Sequence, residues 1–220
     1  MRHRVFQFLP AETLPDNKLV VVALNDAVFL SLLSSRIHVT WATISGGWLG
    51  VGNDPVYVKS RCFDPFPFPD PVPETLKQEL REAAEELDST RKAVLEAHPD
   101  LTLTKLYNVL ERVRAVQRQS APHPALRATL SPEGRGEDVE PLSPEEIDAR
   151  DRGRVLILKD LHETIDRLTF RAYGWLETLS DEQILERLVA LNAERRAEEA
   201  TGKVRWLRPE YQIPRFGTPT

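Results

Sequence analysis

With 220 residues and 41% hydrophobic side chains, the chain has apolar mass for one large or two small cores, and its formal net charge of −5 excludes a wholly basic nucleic-acid binder. A lone Cys62 excludes an internal disulfide, and five scattered histidines offer no paired metal-ligand spacing. No apolar run approaches the roughly 18 residues that cross a bilayer, and Met1-Arg2-His3-Arg4 opens no signal peptide, so a cytoplasmic protein with no membrane partner is expected.

Arg4-Val5-Phe6-Gln7-Phe8-Leu9 alternates as a strand does, and Lys18 to Leu24 reads as a second, more buried strand after a turn at Pro15-Asp16-Asn17. Asp26 then caps a predicted helix carrying Val28, Phe29, Leu32, Leu33, Ile37 and Trp41, which stops near Gly46-Gly47. Beyond it come a glycine-bearing loop, a short strand at Tyr57 to Phe63, and an extended Phe/Pro segment to Pro69. Proline pushes the residue before it toward extended backbone. Phe63, Phe66 and Phe68 in that segment are expected to anchor it by packing, as are Trp41, Trp175 and Trp206 elsewhere.

From Pro73 the spacing becomes helical, with Leu76, Leu80, Ala84, Leu87, Val94 and Leu95 on one side and an end at His98-Pro99. Leu103, Leu106, Tyr107, Leu110 and Val113 predict a second helix, antiparallel to the first in a helical hairpin. Residues 120–142, rich in proline and glycine, read as a linker. Ser143-Pro144-Glu145-Glu146 and Ser180-Asp181-Glu182-Gln183 are capping boxes that start two further helices, the last ending at Gly202. The domains expected are residues 1–70, a hairpin at 71–119, the linker at 120–142, and a helical domain at 143–220.

Catalytic constellations are absent from this pattern. Asp54-Pro55-Val56-Tyr57 resembles the loop with which amino-methyltransferases hold a flipped base, but it lacks the second proline and an upstream glycine-rich cofactor turn. His38 and His162 stand on helices with no neighbouring nucleophile and read as structural. Recognition remains. Residues 1–61 hold six basic side chains against four acidic ones, so the acid excess lies downstream. In this third, Asn53, Tyr57 and Ser60 are candidates for base-edge contact, and Lys59 and Arg61 for phosphate neutralisation. Arg36 and His38, on the preceding helix, would face the same groove.

Leu33-Ser34-Ser35-Arg36-Ile37-His38-Val39-Thr40-Trp41, Gly50 to Pro55 and Arg61-Cys62-Phe63-Asp64-Pro65-Phe66-Pro67-Phe68-Pro69 carry a likeness that continues through Leu103 to Leu110, Ala172-Tyr173-Gly174-Trp175 and Leu188 to Arg195. Over these stretches the chain resembles the end of MmeI-like class I S-adenosylmethionine-dependent DNA methyltransferases of type II restriction-modification systems. The resemblance implies a DNA target-recognition domain that opens without its first strands, followed by the carboxyl-terminal helical domain. Adenine methylation would lie outside these residues. In that family a polar Asn stands where this chain has Val58, which removes a base-contacting group there.

The fold class expected is therefore α+β, a partial β-rich target-recognition domain followed by a predominantly α-helical domain. The function expected is recognition of double-stranded DNA in service of an adenine-specific methyltransferase. No cofactor is expected on this chain; S-adenosylmethionine would be bound by the catalytic domain or subunit that partners it. Two other classes compete: a helical assembly subunit, and a free-standing methyltransferase that binds its own cofactor.

Overall fold

The computed structural model describes residues 4–16, 19–49, 54–120 and 140–217. Most of the linker expected at 120–142, and the tip of the glycine-bearing loop at 50–53, lie outside the described residues.

Helix α1 (Ala27–Ser34) starts where Asp26 turns its carboxylate back to accept the Val28 N–H at 2.9 Å, as its sequence predicts. Almost every side chain of α1 is buried. The single helix expected through Trp41 is instead two, because the chain bends by 63° between α1 and α2 (Arg36–Ser45). Ser35 makes the break: its backbone is extended, and its hydroxyl donates to the Leu32 carbonyl at 2.7 Å while accepting the His38 N–H. A serine that satisfies both helix ends competes with a continuous helix.

The expected β-rich domain is not present. Strands β1 (Gly47–Leu49) and β2 (Asp54–Val56) form one antiparallel hairpin, with Trp48 opposite Pro55, and the described chain is otherwise helical or irregular. The strands predicted at 4–9 and 18–24 run as irregular chain over their described residues, 4–9 and 19–24, and Tyr57 to Phe63 is a loop and a four-residue turn of helix, α3 (Lys59–Cys62). Valine-rich segments gain stability from cross-strand neighbours rather than from backbone preference, and among the described residues no strand lies beside Val20, Val21 and Val22. The amino-terminal segment is fastened to helices instead, with Phe6 and Phe8 packed at Ala27, Leu30 and Ala84.

Helix α4 (Glu74–Ala97) follows its predicted face, and α5 (Leu103–Ser120) begins after the turn at Pro99. They meet where Arg91 Nη1 donates to the Tyr107 hydroxyl at 3.0 Å, and they share a third helix. Helix α7 (Val155–Tyr173), reached through α6 (Pro144–Arg152), lies against both: α4 packs on α1 and α7, and α5 on α6 and α7. The main core accordingly joins Val28, Leu80, Leu87, Leu106, Leu110, Leu158 and Ile165, residues drawn from stretches expected as separate domains. A second core sets Ile37, Trp41 and Phe66 against Phe170 and, from α8 (Asp181–Ala200), Ile184 and Leu188. Both predicted capping boxes form, at Ser143 and Ser180. A last helix, α9 (Pro209–Phe216), has no buried residue and was not anticipated. Among the described residues no single helix is long and apolar enough to cross a membrane.

Candidate functional site

The region from Arg36 to Cys62 is built on α2. His38 is completely enclosed on this helix, with Nδ1 at 2.8 Å from the Leu33 carbonyl and Nε2 at 3.1 Å from the Tyr57 hydroxyl. Burial pushes the imidazole down to about 4, so it is neutral at physiological pH. A carbonyl only accepts, hence Nδ1 carries the proton and Nε2 accepts from the Tyr57 O–H. Phe6 and Phe66 set their rings edge-on to the imidazole. Burial also holds the Tyr57 phenol above its ordinary range, which keeps it a donor.

Two further contacts pin the hairpin and α3 onto this helix. Trp41 Nε1 donates to the Cys62 carbonyl at 3.1 Å, fixing the end of α3 onto α2. At Gly46 a Cβ would stand 2.7 Å from both the Ala42 and Val56 carbonyl oxygens, so only glycine lets the root of the hairpin press against the end of α2. The result is a rigid base carrying an exposed polar turn. Lys59, Ser60 and Arg61 are all exposed on α3. The Lys59 ammonium sits between the two Asp64 oxygens at 2.7 and 2.8 Å, and the Arg61 guanidinium has no partner among the described residues.

The predicted site residues are thus divided. Lys59, Ser60 and Arg61 face solvent, but on a helical turn rather than a strand. Successive side chains there stand about 100° apart, so the three fan around one turn and do not line a single edge. That geometry suits phosphate contact by long side chains more than a row of base contacts. His38 is corrected outright: both ring nitrogens are engaged inside the protein, and none of the imidazole reaches a groove. Tyr57 is half-buried with its hydroxyl turned inward. Asn53 lies outside the described residues.

Arg36 also turns inward. Its Nε and Nη2 reach Asp181 Oδ1 at 2.9 and 2.6 Å, and its backbone N–H donates to Asp166 Oδ1 at 2.6 Å. The expected phosphate clamp is a tie between the start of α2 and helices α7 and α8. Desolvation raises the Asp166 carboxyl to about 6, against the opposing pull of the Arg36 N–H and the Arg114 and Arg36 charges. Sequence reasoning missed both acids, which lie 130 and 145 residues from Arg36, and it missed Asp64 beside Lys59. Among the described residues no group of three or more His, Cys, Asp or Glu side chains is arranged to hold a metal ion. Comparison with protein-family models, with curated proteins and with solved structures finds no match for this chain.

Proposed function

We propose that this chain is a helical platform that holds an exposed basic turn against double-stranded DNA for an adenine-specific DNA methyltransferase, in the cytoplasm. S-adenosylmethionine binding and methyl transfer are supplied by a catalytic domain or subunit outside these residues. The observation that carries the reading is the contrast at α3: Lys59, Ser60 and Arg61 are exposed, while the residues beneath them, His38, Tyr57, Trp41 and Cys62, are locked together. A turn held this way loses little side-chain and loop freedom elsewhere when it meets a phosphate backbone, which favours binding. The chain's resemblance to the end of MmeI-like methyltransferases supports the choice of partner.

The test is fluorescence anisotropy of the full chain on a mixed-sequence duplex across salt concentrations. Lys59→Ala with Arg61→Ala should weaken binding and flatten the slope of log K against log salt by about 1.8, at about 0.9 for each phosphate no longer neutralised. The Lys59 pair with Asp64 is exposed and contributes little to the fold, so this double variant stays folded. An unchanged affinity and slope would remove this turn from any DNA interface.

A second reading, a helical assembly subunit, is favoured by exposed apolar side chains. Ile147, Leu156 and Ile157 are all at least 40% exposed where α6 meets α7. Its mark would be a stable protein complex that forms without DNA and is lost on Leu156→Glu.

A further inference from the structure

Charge is distributed unevenly at the carboxyl-terminal end. Residues 203–220 hold four basic side chains and one acidic one, a local charge of +3, so the rest of the chain carries −8 toward the net −5. Within this segment two cations are already neutralised: Lys203 pairs with Glu198, and Arg205 with Glu198 and Asp70. Arg208 and Arg215 are different. Neither pairs with a carboxylate among the described residues, and both lie over one aromatic ring, at 4.6 and 3.9 Å from the centroid of Tyr211.

Each guanidinium is also held at one nitrogen. Arg208 gives Nη1 to the Ala23 carbonyl at 2.7 Å, and Arg215 gives Nη1 to the Tyr211 carbonyl at 3.1 Å. The remaining guanidinium N–H groups of each have no partner among the described residues. A guanidinium laid on an aromatic face and held at one nitrogen is pre-organised to present its fork edge-on, and that fork matches two phosphate oxygens. Tyr211 and Phe216 beside it are 42% and 66% exposed.

We infer that α9 is a second nucleic-acid contact, in which Arg208 and Arg215, braced on Tyr211, grip the DNA phosphate backbone. The inference builds on the reading that this chain works on DNA. An anionic lipid surface offers the same charge, but α9 fits it poorly. Eight residues of helix span only about 12 Å, Glu210 and Pro214 interrupt the segment, and two guanidinium groups already lie over its aromatic ring. A phosphate backbone needs no continuous apolar face.

The experiment uses the full chain, a mixed-sequence duplex and, separately, phosphatidylserine vesicles. Arg208→Gln with Arg215→Gln should weaken duplex binding about tenfold or more and flatten the salt slope by about 1.8, with the far-ultraviolet circular dichroism unchanged. Tyr211→Leu, which keeps both charges and removes their brace, should weaken binding several-fold without changing the slope. If the arginine pair leaves duplex binding intact while Lys59→Ala with Arg61→Ala weakens it, α9 is excluded and the α3 turn stands. If the arginine pair matters and the α3 pair does not, α9 stands alone as the contact. Vesicle binding lost in the arginine pair with duplex binding unaltered would make α9 a membrane element and overturn the inference. No duplex binding by the unaltered chain would overturn both.

Discussion

Replacing Asp166 by Asn keeps an oxygen able to accept the Arg36 N–H and removes the charge. Burial holds this carboxyl at about 6 instead of 3.8. The folded state therefore binds the proton about a hundredfold more tightly than the unfolded chain, and the ionised side chain costs about 3 kcal/mol at pH 7. This contribution favours the fold fully below about pH 4 and is lost as pH rises through 6. His38 runs the other way: its folded value is about 4 against 6.5, so the fold loses about 3 kcal/mol as pH falls across that interval. The two windows overlap, and in the unaltered chain they largely offset each other. Asp166→Asn removes one of the pair. Urea denaturation at pH 7.5 should find the variant more stable by about 2 to 3 kcal/mol, a rise in Tm of about 6 °C for a chain of this length, and at pH 5 about half of that gain should remain. A variant less stable than the parent at pH 7.5, or a gain that does not vary with pH, would refute the account of Asp166 as a carboxylate whose burial outweighs its partners.

Two further substitutions probe the packing. Gly153→Ala would set a Cβ 2.3 Å from Leu106 Cδ2 and 2.4 Å from the Ala149 carbonyl oxygen, so thermal unfolding should reveal a loss of about 1 to 3 kcal/mol from overpacking; an unaltered Tm would mean that the junction of α6 and α7 yields freely. Tyr57→Phe leaves the buried His38 Nε2 without its donor and should cost about 1 to 3 kcal/mol in chemical denaturation, whereas an unchanged midpoint would show that the hydroxyl does not hold the imidazole.

The helices most legible in the sequence are those whose boundaries are local. Asp26, Ser143 and Ser180 each announce a start through a cap hydrogen bond to an N–H no more than three residues on, and each cap forms. The alternation of Leu76, Leu80, Leu87 and Val94 needs only a neighbour on one side, which α1 and α7 supply. What was illegible depends on partners distant in sequence. The run Leu19-Val20-Val21-Val22 has the composition of a strand, but composition does not provide a second strand to pair with. The bend at Ser35 is local, yet the apolar spacing on both sides of it continues one helical pattern and hides the break. At the candidate site, exposure was foreseen for Lys59, Ser60 and Arg61, whose neighbours are close in sequence. It was misjudged for Arg36 and His38, which are claimed by Asp181 and Asp166 of distant helices and by Tyr57 across the hairpin. Helix α9 carries its own signal in Pro209 at a first helical position, obscured by Pro214 near its end.

The guanidinium of Arg91, only 1% exposed, gives Nη2 to the Phe6 carbonyl at 2.7 Å and Nη1 to the Tyr107 hydroxyl at 3.0 Å, and that hydroxyl meets His162 Nε2 at 2.8 Å. Four parts of the polypeptide thus converge on one interior cation, which Asp88 of the same helix also neutralises. Peeling away the first few residues would take the Phe6 carbonyl from Nη2 and leave the guanidinium to Asp88, 3.5 Å away, and Tyr107, a loss of a charge-assisted hydrogen bond that couples the leading segment to the helices it overlies. Melting should consequently proceed as one event, with the irregular leader protected from proteases for as long as the helical body stands.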